Sequence, residues 1–141
     1  MISTQAHARA GFTLAEILIA ITIVAIMGAI AVPSYLAYSK KANTTAAKAT
    51  LNNLAMGIEE FQADTGRYPE TLQDLVKKPL NEELATGWDG PYGIKGTTIP
   101  KDPWKIPYQY TVTPEGEFEL YSYGPKKKTA PQTEWIRAQK Q

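Results

Sequence analysis

Between Phe12 and Ser39 the chain carries one charged residue, Glu16, and from Ile17 to Val32 it carries none. A run of about 28 residues makes roughly 42 Å of α-helix, more than the roughly 30 Å hydrocarbon core of a bilayer requires. Few folded positions accept such a segment, because a helix apolar on every side must be covered by lipid or by protein. Glu16 sharpens the constraint. A carboxylate near the end of an apolar helix is costly to place in hydrocarbon, and its default meaning is functional, with a partner to be found.

Size and composition limit the alternatives. The 141-residue chain leaves about a hundred residues beyond the apolar run, enough for one small α+β domain. The chain has no Cys, which excludes a disulfide framework, a thiolate nucleophile and a cysteine-type zinc site. Its single His, His7, precedes the apolar run, so the rest of the chain has no imidazole for base catalysis or metal ligation. Charge is divided along the sequence. Phe12 to Tyr123 holds nine Lys/Arg against thirteen Asp/Glu, whereas Gly124 to Gln141 holds five against one. A basic tail of this kind suits nucleic acid, acidic lipid, or acidic surface on the same or a neighbouring copy, and the last is the preferred reading.

Three readings of the apolar run compete. One is a plain single-pass anchor; another is a secretory signal cut after Ala29-Ile30-Ala31. The signal fits poorly: Glu16 sits where the positive and apolar regions should meet, and the other small-x-small triplet, Ala8-Arg9-Ala10, lies before the run. Helical composition also continues past Ala31, from Ser34 to Glu60, with Pro33 expected to bend the helix rather than end it. Lys40 and Lys41 oppose Arg9 across the run, so the distribution of positive charge does not set an orientation.

The third reading comes from a resemblance. The junction Gly11-Phe12-Thr13-Leu14-x-Glu16, the apolar run and Pro33 resemble the N-terminus of type IV pilins and type II secretion pseudopilins. That resemblance implies a leader, residues 1–11, removed by prepilin peptidase between Gly11 and Phe12, with methylation of the new amine on Phe12. It also implies a hydrophobic transmembrane and assembly helix over residues 12–39 and a periplasmic α+β head over residues 40–141, with the N-terminus cytoplasmic. Glu16 would then pair with the Phe12 amine of another subunit during assembly. Such a pair offsets its desolvation when well formed, while a missing partner costs roughly 3–5 kcal/mol.

Farther along, Leu51, Leu54, Ile58 and Phe61 recur at spacings of three and four, predicting that one helical stripe is buried. Asp64-Thr65-Gly66 marks the helix end, Leu72 to Val76 a short second helix, residues 81–103 a loop, and Ile106 to Val112 with Glu117 to Tyr123 an antiparallel hairpin. Five blocks, Phe61-x-x-Asp64-x-Gly66-Arg67-Tyr68-Pro69, Trp88-x-Gly90-Pro91-Tyr92, Pro100-x-Asp102-Pro103-Trp104, Pro107-Tyr108-x-Tyr110 and Tyr121-Ser122-Tyr123-Gly124, resemble in their order the major pseudopilins of type II secretion. The implied fold is type IV pilin-like: a long N-terminal helix, a small antiparallel sheet and an irregular C-terminal loop.

Two positions depart from that family. Lys105 stands where a turn glycine is usual, so its backbone must avoid positive φ or bear its cost. The loop after Gly124 reads Pro-Lys-Lys-Lys-Thr-Ala-Pro-Gln-Thr-Glu, where the family carries aspartates for a structural calcium. Calcium takes roughly six to eight oxygen ligands, and three lysines repel it. No cofactor is therefore expected, and Lys126, Lys127 and Lys128, Lys127 in particular, are candidates to replace the ion as the positive charge that holds the loop.

The resemblance implies a non-enzymatic subunit of a homopolymeric pseudopilus that drives protein export. Its partners would be minor pseudopilins, the inner-membrane secretion platform, prepilin peptidase and exported proteins; nucleic acid is not expected. A type IV pilin for adhesion, motility or DNA uptake is the alternative, and a periplasmic binding protein or hydrolase released after Ala31 is a weaker one. Asp89 and Asp102 are candidate carboxylates for that hydrolase, although surface turns account for both more simply.

Overall fold

The computed structural model describes residues 11–138. Helix α1 spans Leu14–Thr65, and the chain divides into two compact units between Lys40 and Lys41. In the first unit the apolar side chains are uncovered by the chain itself: Phe12 is 85% exposed and Ile30 70%. The helix runs without interruption through Pro33, and Ser34 Oγ donates to the Ile30 carbonyl at 3.2 Å. This is the one helix among the described residues that is long and apolar enough to cross a membrane.

In the second unit α1 supplies the core. Ala47, Leu51, Leu54, Ile58 and Phe61 are fully buried, and their alternating spacing of four and three places them on a single face. Each large side chain among them contributes about 1.5–3 kcal/mol of burial. Gly66 ends the helix in the left-handed region (φ +77°), with its N–H donating to the Gln62 carbonyl at 2.8 Å.

The segment after α1 returns across this face. A single turn of 3₁₀ helix at Leu72–Leu75 buries Leu75, and Tyr92 N–H donates to the Leu75 carbonyl at 2.8 Å. Trp88 Nε1 donates to the Asp74 carbonyl at 2.8 Å, and the Tyr92 hydroxyl donates to Asp64 Oδ2 at 2.9 Å. Burial, chiefly, raises the Tyr92 pKa, so the phenol keeps the proton that this bond needs. The backbone at Tyr92 and Gly93 lies directly on α1 at Gly57, where an added Cβ would come within 2.9 Å of the Tyr92 carbonyl. A side chain at Gly57 would separate the two.

Three antiparallel strands complete the fold in the order β1 (Gln109–Val112), β2 (Phe118–Ser122), β3 (Ile136–Arg137). The expected hairpin is present, with Tyr110 opposite Leu120 and Gly116 at φ +81° in its turn. Its strands are shorter than the sequence pattern suggests. Pro107 has no N–H to give a ladder, and both Ile106 backbone groups bond to Asp102. Two elements lie outside the sequence expectation. Helix α2, Glu82–Ala85, occupies part of the segment expected to be loop and is capped by Asn81, whose side chain accepts from Glu83 N–H at 3.0 Å. Strand β3 pairs Ser122 with Ile136 and Tyr121 with Arg137, tying the chain's last described residues to the sheet.

Candidate functional site

At the N-terminal junction Gly11 and Phe12 are exposed and precede α1; residues 1–10 of the expected leader lie outside the described residues. Thr13 and Glu16 are joined reciprocally. Glu16 Oε2 accepts from Thr13 N–H at 2.8 Å and from Thr13 Oγ1 at 3.1 Å, while Thr13 Oγ1 accepts from Glu16 N–H at 3.2 Å. This is a capping box, in which a Thr and a Glu three residues apart satisfy two otherwise orphaned N–H groups at a helix start. Its Thr-x-x-Glu signature stands in the sequence, masked there by the more conspicuous isolation of the Glu16 charge. The carboxylate is thus held at the first turn of α1, exposed and close in sequence to Phe12, with acceptor capacity remaining for a cation.

The second region is organised by Asp102. Only 3% exposed, it is not the surface turn expected from its Pro- and Lys-rich surroundings. Its Oδ1 accepts from Trp104 N–H at 3.0 Å and Ile106 N–H at 2.7 Å, and its Oδ2 accepts from Ser122 Oγ at 2.6 Å. Ser122 Oγ accepts in turn from Gly124 N–H at 3.0 Å. One carboxylate therefore closes the 102–106 turn, grips β2 and fixes the start of the C-terminal loop. Lys105 closes that turn at φ +66°, a conformation that costs a non-glycine residue about 1–2 kcal/mol. With both oxygens committed, Asp102 is poorly placed to act as a catalytic carboxylate.

From Gly124 the loop makes a 3₁₀ segment to Thr129, interrupted at Lys127, whose φ of +56° breaks its helical path. Of the three candidate lysines, Lys126 rather than Lys127 reaches an acid: Lys126 Nζ donates to Glu134 Oε1 at 2.9 Å and lies 2.8 Å from Oε2. Lys127 and Lys128 are exposed and form no ion pair among the described residues. The loop's other anchors are Thr129 Oγ1, donating to the Lys126 carbonyl at 2.6 Å, and Trp135 Nε1, donating to the Ala130 carbonyl at 3.1 Å. Trp135 also stacks on Tyr121 at 4.3 Å, with Tyr123 edge-on at 5.4 Å. The side-chain oxygens of Ser122, Thr129 and Glu134 are each engaged in these bonds.

A family model described as type II secretion system protein G matches residues 34–137, and one described as the prokaryotic N-terminal methylation motif matches residues 6–32. The chain belongs to the type II secretion system protein G family. It is 35% identical over 124 residues to the type II secretion system core protein G of Pseudomonas aeruginosa, covering 85% of this chain and 86% of that one. The core protein G of Vibrio cholerae is 34% identical over 119 residues, with 81% and 79% covered. In three dimensions the chain matches the major pseudopilin from the type 2 secretion system of enterohaemorrhagic Escherichia coli, with a TM-score of 0.56 at 24% identity over 72% of this chain and 90% of that one. The fold is accordingly the type IV pilin-like one, as the order of sequence blocks implies.

The anchors of the C-terminal loop differ in strength. Asp102→Ala strands two N–H groups and a hydroxyl in a buried site, at about 1–3 kcal/mol each, whereas Lys126→Ala breaks an exposed pair worth less than about 1 kcal/mol. Denaturant unfolding of the solubilised protein should therefore show Asp102→Ala as much the more damaging. A greater loss from Lys126→Ala would contradict this ranking.

Proposed function

We propose that this protein, a major pseudopilin of type II secretion, is cut between Gly11 and Phe12, methylated on Phe12, and polymerised through the helix so retained. The observation that carries the reading is the pairing of two features in one element: an apolar helix uncovered by its own chain, and Glu16 held near Phe12 at its first turn. Cleavage before the helix creates a cation at Phe12, and parallel helices in a filament bring one subunit's amine to another's carboxylate. Each group then supplies the charge the other lacks, so the pair sets axial register.

On this reading the N-terminus is cytoplasmic and the second unit periplasmic, with the chain anchored in the inner membrane before assembly. Its partners are other copies, minor pseudopilins, the inner-membrane platform, prepilin peptidase and exported proteins. The role is structural, without catalysis. The loop after Gly124 is held without calcium, by the Asp102–Ser122 network, the Trp135 stack and Lys126–Glu134.

Mass analysis of the mature N-terminus tests the processing step: a chain starting at methylated Phe12 is expected, and one starting at Val32 would sink the pilin reading in favour of a secreted protein. Calcium dependence is tested separately by melting in the presence of a chelator. An unchanged melting temperature is expected; a drop that added calcium reverses would restore the family's ion to this loop.

A further inference from the structure

Strand β2 carries an acidic groove along its length and leads into a basic loop. Along β2 from Phe118 to Tyr121 lies a groove of about 740 Å³ whose lining also includes Glu59, Glu115 and Glu119. Arg137, 4.0 Å from Glu119, is the single cation in that lining, so acid is in excess. Past Ser122, where β2 ends, the chain enters the Lys126–Lys128 loop. Glu134 of the same molecule neutralises Lys126, while Lys127 and Lys128 remain exposed. No ion pair joins these lysines to the groove within one molecule among the described residues.

The Asp102–Ser122–Gly124 bonds fix where the basic loop starts relative to β2, so both patches have set places on one unit. Complementary patches can be exchanged reciprocally in a two-fold dimer or joined head to tail, and the parallel helices of the proposed polymer favour the second. Joined head to tail they make a heterologous contact, which propagates from copy to copy as an open helical array. We propose that Lys127 and Lys128 of one copy dock on the glutamate-rimmed groove of the next, adding a head-to-tail contact to the helix-mediated polymer on whose existence this contact rests. Exposed ion pairs are individually weak, but a copy already tethered in a filament is present at high effective concentration, and weak pairs then suffice to select orientation.

Because the chain has no Cys, introduced cysteines report the contact cleanly. Full-length protein carrying both Glu115→Cys and Lys128→Cys should, on oxidation in secreting cells, give a covalent ladder of multimers. Neither single variant should, and co-expressing the two singles should stop at dimers. In a second arm, Lys128→Glu combined with Lys127→Glu should lower the yield of filaments several-fold, with partial recovery on adding Glu115→Lys. Filaments visible by electron microscopy but without the ladder would overturn the contact while leaving the polymer reading intact, as would a link confined to one molecule or to another secretion component. Absence of filaments from the unsubstituted protein would remove both.

Discussion

Apolar surface left uncovered along the first half of α1 governs how this chain can exist. Ile17 to Leu36 is left without cover by the rest of the described chain, and on the proposed function that surface is handed from one cover to another: lipid for the membrane subunit, and other copies for the polymer. Both covers are apolar, and apolar contact alone selects no register. In the proposed polymer a single ionisable group would change that, because a buried carboxylate tolerates few positions along the axis. Glu16 therefore matters out of proportion to its size.

The same economy operates in the second unit. The buried stripe of α1 from Ala47 to Phe61 supplies half of the core cluster, but a three-stranded sheet this small has little capacity to order a long C-terminal loop by packing. Asp102 does so instead, by connecting backbone at 104 and 106 to Ser122 and Gly124. The loop itself holds a single acid, Glu134, and a buried carboxylate outside it closes the structure. The three lysines are left to surface roles, one paired with Glu134 and two facing outward.

Periodic and punctuated features are legible in the sequence. The three-four spacing of Leu51, Leu54, Ile58 and Phe61, the stop at Gly66 and the hairpin about Gly116 obey local rules and appear as expected. Features that depend on long-range pairing, or on very short elements, are not legible. A two-residue strand has no period, so β3 becomes visible only when Ile136 meets Ser122. Asp102 looks like a solvated turn residue until Ser122, twenty positions on, buries it. The choice of Lys126 over Lys127 goes with the left-handed backbone at Lys127, for which a lysine gives no local signal. The Thr13–Glu16 box and the Asn81 cap, by contrast, are readable from their spacing.

The box also supplies a way to separate the two roles of Glu16. Glutamine accepts the same bonds from Thr13 and preserves the cap, but it offers no charge to a Phe12 amine. Filament formation by Glu16→Gln, scored in cells where membrane insertion of the variant has been verified, shows whether the charge or the cap sets the register of the polymer. Assembly should fail for Glu16→Gln and Glu16→Ala alike, with both variants still inserted and folded. Normal filaments from Glu16→Gln would mean that Glu16 serves only to start the helix and that register is set elsewhere.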